Sequence, residues 1–280
     1  MYGWSGSWRE SLFEHATASS STGPKLGVNY VQASAPSTTL ELRAASSSLV
    51  VGQDLAKHGI AGVVWNCARA MVSFFEAEPQ LAAHRHVLEL GAGPGAVGLA
   101  LASACKVSSL LLTDLESVVP LIRSNARSAA QHHDSIATLT ASNRLDIRAL
   151  CWGEPLDDTI ARRPVDVVVA SDCTYDSASH SALLATLLEL TGTSSISEQA
   201  QRHPVVLLAY KQRMPGKEHV FFTSAAMHFD IAVYSSDSST SSTSNSNNFG
   251  SAIEFYDEAI YICKLERRRN EREPEAGTPA

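Results

Sequence analysis

From His86 onward, short runs rich in Val, Ile and Leu alternate with stretches of helical periodicity. No other feature of the chain narrows the possible folds as much. Residues 87–90, 110–114, 147–152, 165–170 and 205–209 read as strands, with helices expected over 96–104, 118–130 and 181–190. Parallel strands need long crossovers, usually helical, which then cover both faces of the sheet. Residues 229–234 and 259–264 break this rhythm and are expected to pair as an antiparallel C-terminal edge.

Ahead of the alternating region, residues 26–31 and 39–43 read as a small strand pair around a Pro36 turn, and residues 63–76 as a helix. The first 25 residues are rich in small and polar types and read as a loose arm, with a short helix near 8–15. Residues 235–248 hold only Ser, Thr, Asn and Asp, too polar to offset the entropy of ordering, so a disordered loop is expected there. A solvated tail is expected from Glu266. One domain over 26–265 accounts for the rest.

Charge and cysteine usage remove several function classes. The net charge of −7 argues against a general nucleic-acid binder, which needs a basic surface to neutralise phosphates. Five cysteines without any CxxC exclude a zinc ribbon or a thioredoxin-type pair, and suit reduced thiols. The pairs His84/His86 and His132/His133 lack matched Asp or Cys partners, so no metal site is expected. No apolar run is long enough to span a membrane, and charges at Arg9, Glu10 and Glu14 interrupt any secretory signal. A cytoplasmic protein, also compatible with the nucleus, is expected, and a monomer.

The segment Glu89-Leu-Gly91-Ala-Gly93-Pro-Gly95-Ala-Val-Gly98 lies between a strand and a helix. Glycines there keep the turn tight and let a ligand approach the backbone. Asp114 ends the next strand, where a carboxylate can accept hydrogen bonds from both ribose hydroxyls of a nucleoside. Gly91-x-Gly93-x-x-Ala96 fits a dinucleotide fingerprint, whereas Glu89-x-Gly91-x-Gly93-x-Gly95 resembles motif I of Rossmann-like methyltransferases, which implies S-adenosylmethionine with Glu89 among the residues that bind it.

Further blocks occur in one order: Gly62-Val-Val-Trp65-Asn-Cys-Ala68, Thr113-Asp-Leu-Glu116 with Asn125 after it, Trp152-Gly153, Ala170-Ser-Asp172-Cys-Thr-Tyr175 and Tyr210-Lys-Gln-Arg213. Together with the glycine block they resemble methyltransferase family 16, whose members are mainly protein-lysine methyltransferases. The resemblance covers about residues 26–264. It implies a Rossmann-like α/β fold, a seven-stranded mostly parallel sheet with helices on both faces, and S-adenosylmethionine as cofactor. It also implies a protein substrate carrying the target lysine. Carried over, it places Trp65 near the methionine moiety or ribose, Gly91, Ala92 and Gly93 at the amino-acid end, Asp114 on the ribose, and Trp152 and Ser171 beside the adenine.

A lysine amine must be neutral to attack, and its ordinary pKa is about 10.4. Burial in an aromatic slot near a cation lowers that value. Asp172 is expected to orient the ammonium and relay its proton, with Tyr175 and Tyr210 as channel walls. If Asp172 has no such role, capping a helix is its alternative. Arg213 is a candidate for holding an acidic substrate surface. Two other readings stay open: the same cofactor serving a small molecule or a histidine, and a binding module without turnover.

Overall fold

The structure of the protein, a computed structural model, describes residues 30–192, 203–213, 215–234 and 260–268. Seven strands form one sheet: β3 (His86–Leu90), β4 (Ser109–Asp114), β5 (Leu145–Ala149), β6 (Val167–Ser171), β7 (Val205–Lys211), β8 (Phe229–Tyr234) and β9 (Ile260–Arg267). Their order is β5-β4-β3-β6-β7-β9-β8. All neighbours are parallel except β9, which runs antiparallel to both β7 and β8. The Rossmann-like mixed sheet and its antiparallel C-terminal edge are as expected.

Alternation along each strand feeds two separate cores. Leu88, Leu90, Val168, Ala170 and Leu208 face one cluster, closed by α5 (His180–Gly192) and α6 (Pro215–Ala225) through Leu187 and Phe222. Val87, Leu110, Leu112, Val167 and Val169 face the other. That side is covered by α1 (Asn66–Ala77), α2 (Ala96–Ala104), α3 (Val119–Ala130) and α4 (Asp134–Ala141), through Phe75, Leu99, Ile122 and Leu139. Burial on both faces explains the nearly continuous apolar strands.

The N-terminal strand pair exists, but between different segments. β1 (Ser37–Leu42) pairs with β2 (Ser47–Gly52). The register sets Leu40 opposite Leu49, and Leu40, Leu42, Leu49 and Val51 all join the α1–α4 core. Residues 30–31 begin a short helix, Tyr30–Ser34, while 26–29 lie outside the described residues. β5 ends at Ala149, so Trp152 follows the strand by three residues instead of closing it. β9 continues to Arg267 and takes in the start of the expected tail. The arm over 1–25 and the loop over 235–248 lie outside the described residues.

Candidate active site

β3 is flanked by β4 on one side and β6 on the other, so the connections leaving its neighbourhood diverge. In open parallel sheets, ligands bind beyond the carboxyl ends of the strands at such a switch point. Leu90 lies opposite Ala170 and Thr113, which brings the chain out at Gly91, Ser171 and Asp114 side by side. Gly91 has a left-handed φ of 60°, and a Cβ there would sit 2.9 Å from Trp152 Cζ2 and 3.0 Å from Cys173 Sγ. Only glycine leaves a cradle in that place. The adjacent Ala92 is buried, its N–H donating to the Thr113 carbonyl at 3.0 Å.

Two carboxylates serve this turn differently. Asp114 is buried; its Oδ2 accepts from the Gly93 N–H at 2.7 Å and its Oδ1 from the Leu115 N–H at 2.7 Å. Burial raises its pKa, the two backbone hydrogen bonds oppose that, and the charge of nearby His58 opposes it further. A carboxylate has about four lone-pair sites, so acceptor capacity remains for a pair of hydroxyls. Glu89, expected among the ligand-binding residues, lies beneath the turn. Its Oε2 accepts the Gly98 N–H at 2.8 Å, satisfying a free donor of the first turn of α2.

Burial pushes the Glu89 carboxyl from 4.5 up to about 8, against the Gly98 hydrogen bond, with the charge of Asp114 adding to the rise. Glu89 therefore binds its proton more tightly in the folded chain than in the unfolded one. Its contribution to stability is complete below about pH 4.5 and is lost as the pH climbs through about 8. Glu89→Gln keeps an acceptor for Gly98 and removes the titration. We expect the thermal midpoint of the wild-type protein to fall across this window and that of Glu89→Gln to stay flatter. Parallel profiles for the two proteins would show that Glu89 does not titrate there.

The sequence did not point to the scaffold around Trp65. Trp65 is the N-cap residue of α1, and its indole N–H donates to the Ile60 carbonyl at 2.9 Å. That carbonyl belongs to the tight turn Gly59–Gly62, whose Ala61 carbonyl lies 3.1 Å from where a Gly93 Cβ would be. The buried Gln53 side chain accepts from the Val64 N–H at 2.8 Å. It also donates to the carbonyls of Gln32 and Ala35. Asn125 ties the end of β2 to the glycine turn. Its side chain donates to the carbonyls of Pro94 at 2.8 Å and Gly52 at 3.0 Å, and accepts the Gly52 N–H at 2.9 Å. A single Gln after a strand carries no periodic signal, so Gln53 was not visible beforehand.

At the end of β6, the Ser171 Oγ is buried and has no hydrogen-bond partner among the described residues. Buried hydroxyls are rarely left so, and an unpartnered one at the switch point is suited to a polar ligand atom. Asp172 follows with φ 58° and an N–H donating to the Ala209 carbonyl at 2.7 Å. Its carboxylate meets Arg213 in a two-pronged pair, Nη1 to Oδ1 and Nη2 to Oδ2, both 2.7 Å. Asp172 thus caps no helix; Asp176 does that for the next turn, accepting the Ala178 N–H at 3.0 Å. The Arg213 fork, expected to meet substrate acids, is committed to Asp172.

Tyr175 is 51% exposed at this rim. Partial burial raises its hydroxyl pKa, and the charges of Asp176, Cys173, Asp114 and Asp172 add to the rise, so the phenol stays neutral. Tyr210, expected as a second wall, is a core residue at 1% exposure. β7 runs on to Lys211, so Tyr210 sits inside the strand on the face of Leu208, between Phe222 at 4.8 Å and Tyr261 at 5.4 Å.

Comparison with known proteins gives a consistent picture. The model of methyltransferase family 16, described as lysine methyltransferase, matches residues 43–228. Protein N-lysine methyltransferase METTL21A of Xenopus tropicalis is 29% identical over 185 residues, 66% of this chain and 76% of that protein. Protein-lysine N-methyltransferase EFM6 of Saccharomyces cerevisiae is 31% identical over 159 residues, 52% of this chain and 57% of that protein. Protein-lysine N-methyltransferase EEF2KMT of Bos taurus is 28% identical over 191 residues, 64% of this chain. The chain spans 55% of the length of that last relative.

Proposed function

Because the chain belongs to methyltransferase family 16, the lysine methyltransferases, we propose that it transfers methyl groups from S-adenosylmethionine to the side-chain amine of a lysine in a protein substrate. The observation that carries this reading is the convergence at the switch point of the Gly91 cradle, the Asp114 carboxylate and the Asp172 loop. The donor set fits the cofactor. Asp114 has lone pairs for the ribose hydroxyls, Gly91 and Gly93 leave room for the amino-acid end, and the orphaned Ser171 hydroxyl is available to a polar ring edge. The Trp152 ring borders the Gly91 cradle, which supports its assignment to the site wall. Trp65, anchored on Ile60 in the turn that abuts Gly93, is assigned to the other side of the site.

When bound, the cofactor supplies an electrophilic methyl group on a sulfonium sulfur. The protein aligns the amine and excludes water; alignment of this kind lowers a barrier by up to about 7–11 kcal/mol. Tyr175, neutral and half-exposed, walls the approach. Asp172 draws the ammonium in and aims it. Protonating Asp172 would forfeit two charge-assisted hydrogen bonds to Arg213, which favours orientation over the expected proton relay. The amine's proton then leaves to solvent at the mouth before transfer.

The protein substrate, a monomeric state and a cytoplasmic or nuclear setting belong to the same reading, as does the lack of nucleic-acid binding that the net charge of −7 favours. Among the described residues no helix is long and apolar enough to cross a membrane. The test is transfer of labelled methyl from S-adenosylmethionine into a cell lysate, with mass spectrometry of the labelled product. We expect label in a discrete protein, on lysine. Label confined to small molecules or to histidine would replace the lysine reading, and no label with cofactor bound would mean a binding module.

A further inference from the structure

The geometry points to Arg213 as a positioning residue that holds the Asp172 carboxylate in the orientation the substrate amine requires. This inference rests on the lysine-methyltransferase reading. Asp172 sits in a left-handed backbone conformation that a non-glycine residue adopts only when its surroundings enforce it. Two contacts enforce it here. One is the backbone hydrogen bond from Asp172 to Ala209 on β7. The other is the guanidinium fork, whose two parallel contacts fix both the place and the plane of the carboxylate.

Arg213 is itself fixed. Its backbone N–H donates at 3.0 Å to Oε1 of the buried Glu218, in the first turn of α6. The Asp172 carboxylate raises the already high Arg213 pKa, with Cys67 and Glu218 also acting on it electrostatically, so the guanidinium remains charged. The fork takes one lone pair from each carboxylate oxygen, and the opposite lone pairs stay available for an ammonium. The Arg213 side chain is 35% exposed and that of Asp172 8%, so the pair has one solvent-facing and one buried member. An arginine contributed by the end of β7 therefore sets the aim of a carboxylate at the end of β6. A lysine in its place keeps the charge and loses the plane.

Arg213→Met, Arg213→Lys and Arg213→Ala test this against wild type on one lysine-containing protein substrate. For Arg213→Met we expect kcat to fall at least about tenfold, with the dissociation constant for S-adenosylmethionine within about twofold of wild type. Arg213→Lys should fall in between. Millimolar guanidinium should restore part of kcat to Arg213→Ala and none to Arg213→Met, whose side chain fills the space. Hydrogen exchange at the amides of residues 172–175 should quicken in Arg213→Met. Unchanged kcat in a folded Arg213→Met enzyme overturns the inference, and so does a parallel loss of cofactor affinity. If the wild-type enzyme does not label lysine, the functional reading fails on its own. The exchange measurement still decides about Arg213, because unchanged exchange at 172–175 shows that it holds nothing in place.

Discussion

Gly91→Val is expected to weaken S-adenosylmethionine binding by at least about 100-fold, or about 2.7 kcal/mol. The first cause is the backbone. Gly91 has φ 60°, a region that β-branched residues almost never occupy. The second is space, because the new Cβ would lie 2.9 Å from the Trp152 ring and 3.0 Å from Cys173 Sγ. Cys173 is buried and its thiol is directed at the Leu90 carbonyl at 3.4 Å, so it cannot retreat. The tryptophan must move, and with it the wall that the proposed function assigns to the cofactor site. A titration calorimeter reads the loss, and the midpoint of the ligand-free variant shows whether the fold survives. Near wild-type affinity in a folded Gly91→Val protein would mean that the cofactor lies elsewhere.

Asp172→Asn is expected to lower turnover by about 100-fold, some 2.7 kcal/mol in the barrier, while cofactor affinity changes by no more than about twofold. Asparagine is the informative replacement because it tolerates a positive φ, so backbone strain is held constant and only the charge is removed. Arg213 is left without its anion, but its partial exposure lets water take over, which limits the stability loss to about 1–2 kcal/mol. A large fall in midpoint together with a small fall in kcat would assign Asp172 to structure. Undiminished turnover in a folded, cofactor-binding variant removes it from the reaction.

The parts of this molecule that were legible in its sequence are those with a one-dimensional signature. Strands buried on both faces leave continuous apolar runs, which is why β3, β4, β6 and β7 were readable to within about two residues. The glycine turn was readable because positive φ values at Gly91, Gly93 and Gly95 demand that residue type. What depends on distant pairing was hidden. β2 reads as serine and valine until Leu49 and Val51 are set against β1. Asp172 and Arg213 are 41 positions apart, and nothing in either neighbourhood announces the other. Tyr210 was misplaced because β7 is two residues longer than its apolar run, and strand parity then turns the ring into the core. α4 and α6 lack a clear apolar stripe at their ends and were not anticipated.

The placement of β9 between β7 and β8 has a bearing on how the protein is made. A ribosome delivers the strands in numerical order, yet the last of the described strands to emerge belongs to the interior of the sheet. Until residues 260–267 are free, β7 presents an open flank of unpaired amides, and β8 has no neighbour at all. An open flank of this kind is a template for wrong partners. The cofactor turn and the Asp172 loop lie on strands that can assemble early, whereas Arg213 follows the strand whose outer edge β9 must seal. Completion of the Asp172–Arg213 side is thus tied to the delivery of β9, and nascent chains would acquire the Gly91–Asp114 side first.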